Sequence, residues 1–237
     1  MGGRDLCEGG EGQGESSVVV GGDRGQWEKR YLALEAGYRE SKESWAGVLR
    51  QLKGRGVKNP RLFIGDGNLG LWAAVTEVFP QAQEQLCWNH KMLNVMDCVS
   101  KKEQVAVKSS LNAMMYAESR QEALKKRKTF EQAFAHNAKA VKTVMDHWAK
   151  LTTYYDFPRE HWKHLRTSNV VESPFSRVRL RTAASRRFKS QVNATCLVWK
   201  RVMVAEKSFR KLNAPQLVGK VARGTKYDNG KEMRDAA

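Results

Sequence analysis

Asp66 stands where a short apolar run, Pro60-Arg61-Leu62-Phe63-Ile64-Gly65, ends and a helical pattern is about to begin. The run reads as a buried strand. A carboxylate at the C-terminal end of such a strand is well placed to hold Mg²⁺, a hard cation that takes one or two protein carboxylates and keeps waters for substrate phosphates. The same residue, in Asp66-Gly67-Asn68, also suits a turn or a helix cap. Glu172 has a similar double character. In Arg166-Thr167-Ser168-Asn169-Val170-Val171-Glu172-Ser173 the Asn169-x-x-Glu172 spacing is a capping box, in which the Glu satisfies a free backbone N–H at a helix start.

Cys87-x-x-His90 has half of a zinc spacing. Structural zinc needs four ligands, and no second pair follows at finger-like spacing, so the pattern predicts a packed cysteine at a strand end and a histidine bonded locally. The four cysteines, Cys7, Cys87, Cys98 and Cys196, show no framework spacing and read as reduced thiols.

Charge points to a partner. The 237 residues carry 42 Lys+Arg against 25 Asp+Glu, a formal charge of +17, and nucleic acid is the common partner of such a chain. The imbalance concentrates between residues 173 and 211. There Arg177, Arg179, Arg181, Arg186, Arg187, Lys189, Lys200, Arg201, Lys207, Arg210 and Lys211 face only Glu206, a local net of 11 − 1 = +10. Charge so one-sided favours phosphate contacts over a merely solvated face. No apolar run is free enough of Asp, Asn and Glu to span a bilayer, and the acidic, Gly-rich start does not read as a secretory signal.

The elements that must position these groups follow from the pattern. SVVVGG (17–22) and KRYLALE (29–35) read as strands around a Gly-Asp-Arg-Gly turn. ESKESWAGVLRQLKGRG reads as an amphipathic helix, with Trp45, Val48, Leu49 and Leu52 at i, i+3, i+4 and i+7. A second helix, LGLWAAVTEVF, stops at Pro80, and Gln85-Leu86-Cys87-Trp88 is a weaker strand. From about Leu93 to His164 the pattern is helical throughout, after which no strand is expected. NVVESPFSRVRLRT and QVNATCLVWKRVMVAEKSFRKL read as two further helices, with Pro215 and a polar tail closing the folded part. The expected fold is α/β, interrupted by an all-helical insertion. The expected divisions are 20–92 for the first part of the core, 93–165 for the insertion, 166–213 for the helices completing the core and 214–237 for the tail.

The stretch GYRESKESWAGVLRQLKGRGVKNPRLFIGDGNLGLWAAVTEVFPQAQEQLCWNHKMLNVMDCVSKK, followed at a distance by FPREHWKHLRTSNVVESPFSRVRLRT, resembles the Mutator-type transposases of bacterial insertion sequences. The similarity runs over roughly residues 17 to 230. It rests on the Asp-containing strand end before the W-A-A-V helix, the V-F-P ending, the Cys-x-x-His pair and the R-T-x-N-x-x-E-S block. The resemblance implies a ribonuclease-H-like catalytic core with a helical insertion before its last catalytic residue. It also implies an Asp-Asp-Glu triad holding two divalent metals, Mg²⁺ or Mn²⁺, for DNA strand cleavage and strand transfer. Asp66 then resembles the second Asp, Glu172 the Glu, and Cys87 with His90 the family's signature pair. Element-end and target DNA, and further copies of this chain or a full-length transposase, are the implied partners, in the bacterial cytoplasm at the nucleoid.

The family's first Asp belongs to a strand resembling W-A-D-G-I-Y-V-K-A-G, just before SVVVGG. This chain has MGGRDLCEGG there, and six of its first twenty residues are Gly. If those ten residues are encoded ATG GGC GGA CGG GAT CTA TGT GAA GGC GGG, reading one base later gives W-A-D-G-I-Y-V-K-A. The wobble bases are chosen for the match; the fixed bases agree with it throughout. Residues 1–19 are therefore expected to be an out-of-frame lead, with the first catalytic Asp lost. Asp5, in Gly-rich surroundings, and Asp23, in the turn, are poor replacements.

Overall fold

The computed structural model describes residues 29–33, 41–169, 191–207, 209 and 211–233. The chain divides into two compact units. One comprises Met1–Pro60, Asn68–Gln81 and Asn169–Val218; the other comprises Arg61–Gly67, Ala82–Ser168 and Gly219–Ala237.

In the first unit, helix α1 (Lys42–Gly54) packs against helix α2 (Leu69–Val78). Ser41 caps α1 by accepting from the Ser44 N–H, and the heptad-like spacing buries Val48, Leu49 and Leu52. The apolar face of α2 answers with Trp72, Ala74, Val75 and Val78, each aliphatic burial of this kind stabilising by roughly 1.5–3 kcal/mol for a Val or Leu side chain. Glu77 pairs with both Lys42 and Arg50 at the edge of this contact. A later helix, α9 (Gln191–Glu206), buries Val202 against Tyr31, with Val198, Trp199 and Phe209 around them.

Residues 29–33, expected as part of a strand, form none. Their main chain bonds to side chains instead: the Tyr31 N–H donates to Glu206 Oε2 at 2.5 Å, and the Leu32 carbonyl accepts from Arg55 at 2.6 Å. The companion run 17–22 lies outside the described residues, as does most of NVVESPFSRVRLRT.

The second unit contains strands β1 (Leu62–Gly65) and β2 (Gln83–Leu86), paired in parallel from Leu62↔Gln83 to Gly65↔Leu86. Parallel neighbours need a crossover, and the connecting chain carries α2. β2 begins two residues before the expected Gln85 and ends before Trp88, which instead opens helix α3 (Trp88–Met96). Helices α4 (Gln104–Met115), α5 (Arg120–Ala133), α6 (Ala138–Met145), α7 (Trp148–Leu151) and α8 (Trp162–Leu165) follow. Their interior is filled by Val107, Leu111, Met114, Phe130, Val144, Leu151, Tyr154 and Tyr155.

The expected polar tail is folded. Helix α10 (Val218–Arg223) leads to a hairpin of β3 (Tyr227–Asp228) and β4 (Lys231–Glu232). Asn229 and Gly230 both have positive φ, 47° and 79°, the pattern of a two-residue type I′ turn. The turn docks on the helices: Asn229 Oδ1 accepts from the Arg120 N–H at 2.7 Å, and the Gly230 N–H donates to the Tyr155 carbonyl at 3.1 Å. Among the described residues, no helix is long and apolar enough to cross a membrane.

Candidate functional site

Asp66 directly follows the last residue of β1, and Cys87 directly follows the last residue of β2. Because Gly65 pairs with Leu86 and the strands are parallel, both residues emerge at the same, C-terminal edge of the pair. This is the edge at which open α/β sheets place ligands. The edge is held firmly by the chain around Leu151 and Tyr154. Gln85, fully buried, donates to the Leu86 and Leu151 carbonyls at 2.8 and 3.0 Å and accepts from the Tyr154 N–H at 2.8 Å. Thr153 Oγ1 donates to the Glu84 carbonyl at 2.7 Å, and the Trp88 indole N–H donates to the Leu151 carbonyl at 2.8 Å.

The turn reading of Asp66 meets a specific finding. The N-cap of α2 is Asn68, whose side-chain oxygen accepts from the Leu71 N–H at 3.1 Å. Asp66 is half-buried and is not the capping residue. The general cap signal of Asp, Gly and Asn before an apolar helix was present in the sequence; only the structure assigns it to the third residue.

Cys87 is 1% exposed, in line with the packed strand-end cysteine expected from its spacing. Burial pushes its thiol up, but hydrogen bonds from His90 and Ser168 outweigh burial and hold it below the ordinary thiol range. The Ser168 N–H lies 3.3 Å from the sulfur. One residue along, the Trp88 N–H donates to the Arg166 carbonyl at 2.9 Å. The Arg166 guanidinium stands over the rings of Tyr154, Tyr116 and Trp162, 5.0, 5.1 and 5.5 Å from their centroids. Thus the start of the R-T-S-N-V-V-E-S block is fastened to the residues at the end of β2. Ser168 and Arg166 were not singled out from the sequence, because an ordinary backbone N–H and a cation over aromatic rings leave no spacing signal.

Glu172 and the basic residues Arg177, Arg179, Arg181, Arg186, Arg187 and Lys189 lie outside the described residues. Lys200 and Arg201 are described and exposed on α9, next to the buried Val202. Among the described residues, no group of three or more His, Cys, Asp and Glu side chains is arranged to hold a metal ion. The donor set still distinguishes the candidates. The oxygen donor of Asp66 suits Mg²⁺ or Mn²⁺, whereas the sulfur of Cys87 does not and is already engaged as a hydrogen-bond acceptor.

Comparison with known proteins shows the family. The profile of the family "Transposase, Mutator family" matches residues 8–211. The chain belongs to the Mutator transposase family. It is 40% identical over 215 residues to the transposase for insertion sequence element IS6120 of Mycolicibacterium smegmatis, covering 90% of this chain and 67% of that relative. It is 37% identical over 215 residues to the transposase for element IST2 of Acidithiobacillus ferrooxidans, covering 90% of this chain and 73% of the relative. The transposase for element ISRM5 of Rhizobium meliloti is 30% identical over 196 residues. For this Mutator-family chain, the matched region takes in both the Asp66 strand end and the R-T-S-N-V-V-E-S block. It also enters, at residue 8, the stretch expected to be read out of frame.

Proposed function

We propose that this chain is the DNA-cleaving and strand-joining part of an insertion-element transposase, built on a ribonuclease-H-like core. Asp66 and Glu172 serve as two of its three metal-binding carboxylates. The supporting observation is the placement of Asp66: it directly follows a strand of a parallel pair, at the C-terminal edge, and the residue that caps α2 is Asn68. Mg²⁺ or Mn²⁺ bound to such carboxylates would stabilise the attacking and leaving oxygens of a phosphodiester. The chain's own contribution is to hold the Asp66 carboxylate at a rigid strand end, while the basic segment 173–211 grips phosphates of element-end and target DNA. The remaining carboxylate belongs to the strand that residues 1–19 encode out of frame, so the chain as it stands binds DNA and metal without efficient cleavage. That outcome amounts to a DNA-binding remnant acting on DNA or on further transposase copies, and the +10 segment favours it as the second reading.

The experiment incubates the chain with Mn²⁺ and element-end DNA and follows both metal binding and strand cleavage, with Asp66→Asn in parallel. Weak Mn²⁺ binding that Asp66→Asn abolishes, without cleavage, supports the reading. Mn²⁺ binding unchanged in Asp66→Asn overturns the metal assignment. Cleavage that Asp66→Asn abolishes overturns the missing-carboxylate assignment and turns attention to Asp5 and Asp23.

A further inference from the structure

Among the described residues four arginines stand over aromatic rings, and three of them also have a carboxylate. Arg120 stands over Tyr155 and pairs with Asp156, Arg127 stands over Trp148 and pairs with Glu131, and Arg159 stands over Trp162 and pairs with Glu118. Arg166 differs. It meets three rings, those of Tyr154, Tyr116 and Trp162, and pairs with no carboxylate among the described residues. Its Nε is buried without a hydrogen-bond partner. A guanidinium keeps its charge when it leaves water, and ring faces replace only part of the hydration it loses, so an anion is the partner it still lacks. The tyrosines show the same contrast. Tyr154 is buried and donates its hydroxyl to the Met115 carbonyl at 3.1 Å, as Tyr155 does to the Ala117 carbonyl at 3.0 Å. Tyr116 is 63% exposed, and its hydroxyl has no hydrogen-bond partner among the described residues. The guanidinium therefore lies between the buried rings of Tyr154 and Trp162 and the exposed ring of Tyr116.

We propose that Arg166 and Tyr116 form a phosphate site, filled by a backbone phosphate of bound DNA. The planar guanidinium offers paired N–H donors that match phosphate oxygens, and the Tyr116 hydroxyl adds another donor. The rings hold the guanidinium in place beforehand, so little side-chain freedom is lost on binding. Main-chain bonds tie Arg166 to the sheet edge at which Asp66 emerges. Its carbonyl accepts the Trp88 N–H at 2.9 Å, and the preceding Cys87 donates its own N–H to the Gly65 carbonyl at 2.7 Å. Asp66 follows Gly65, so one DNA strand laid along that edge can reach both residues. The assignment of the phosphate to DNA rests on the function proposed above, whereas the unpaired guanidinium does not.

The test uses the full chain with Arg166→Gln and Tyr116→Phe. Arg166→Gln should lower the slope of log K against log salt by about 0.9, the share of one phosphate contact, and weaken binding alike on unrelated DNA sequences. Tyr116→Phe keeps the ring beside the guanidinium and removes only the hydroxyl. It should leave the thermal unfolding midpoint unchanged and weaken DNA binding about threefold or more. If the arginine serves only to brace the rings, Arg166→Gln lowers the midpoint but keeps the parent's salt slope, and that result overturns the proposal. Should Arg166→Gln not fold, Tyr116→Phe decides alone, and parental DNA affinity overturns the site. A parent chain that binds no DNA overturns the DNA reading of the function, and inorganic phosphate then tests the site separately. A shift of the Arg166 Nε–H resonance on adding phosphate, weaker in Tyr116→Phe, retains the site; no shift overturns it.

Discussion

Asn68 Oδ1 accepts the Leu71 N–H at 3.1 Å, so the cap of α2 is two residues beyond the carboxylate of Asp66, the proposed metal ligand. Removing the cap and removing the carboxylate should have opposite signatures. Asn68→Ala is expected to lower stability by about 1 kcal/mol, the usual value of an N-cap, and to leave Mn²⁺ affinity as it is. Asp66→Asn, which keeps the side chain's shape, is expected to abolish the Mn²⁺ response. Urea denaturation and metal titration on the two variants provide the check.

Gln85 joins β2 to the chain around Leu151 and Tyr154 with no exposure to water. Gln85→Leu keeps the volume roughly but leaves the buried Tyr154 N–H without this acceptor. Each such stranded group costs about 1–3 kcal/mol, so a loss of about 2 kcal/mol or more in the free energy of unfolding is expected. A value near zero would mean that water reaches the site.

The same residue shows where sequence pattern runs out. α1 was legible because Val48, Leu49 and Leu52 recur at helical spacing and are buried for that reason. The strand around Asp66 was legible because Leu62, Phe63 and Ile64 form an apolar run. Gln83-Glu84-Gln85 carries no such signal; it is a strand because β1 pairs with it and because Gln85 finds tertiary partners. Trp88, aromatic and strand-like by composition, instead begins a helix and bonds across to Leu151. At the site, Asp66 was legible as a strand-end carboxylate, whereas the Ser168 contact to Cys87 depends on a backbone N–H that every non-proline residue possesses.

The C-terminal hairpin carried a local turn signal, Asn229-Gly230, but the flanking residues do not alternate apolar and polar, so nothing announced a strand pair. Its fit is nonetheless tight. A Cβ at Gly230 would lie 2.7 Å from Arg159 Cβ, 2.9 Å from Arg159 N and 2.9 Å from Trp162 Cζ2, at a φ of +79°. Gly230→Ala therefore meets both backbone strain and collision, and exceeds the roughly 1 kcal/mol by which Ala at positive φ commonly destabilises. Faster proteolysis near residues 224–233 and a lowered unfolding midpoint are expected, while Lys231→Ala, at the neighbouring position, should change little.

Glu103 gives the chain a pH signature. Its carboxylate accepts from Ser100 Oγ at 2.6 Å and from the Ser100 N–H at 3.2 Å, and it faces His136. The Ser100 side chain, then His136 and the Ser100 backbone, lower its pKa to about 2. A carboxyl held below its unfolded value stabilises the fold above that value and loses the contribution as pH falls toward the folded one. The Glu103-dependent part of stability should thus be complete at neutral pH and fade between about pH 4.5 and about pH 2. Carboxyl chemical shifts across that range, compared with stability profiles of the parent and Glu103→Gln, would reveal it.

The exposed pair Lys200 and Arg201 offers the cleanest test of the proposed DNA binding, because both residues lie on α9 beside Val202, whose burial anchors the helix, and neither packs in the core. Double charge reversal should therefore spare the fold. Each phosphate contact releases counterions and contributes about 0.9 to the slope of log K against log salt. If both residues contact phosphates, Lys200→Glu with Arg201→Glu lowers that slope by nearly 2 and weakens binding similarly on unrelated DNA sequences, since phosphates carry no sequence information. Binding isotherms at several salt concentrations decide the matter. An unchanged slope would leave the phosphate contacts to other basic residues, and a loss confined to one DNA sequence would mean that the pair reads bases.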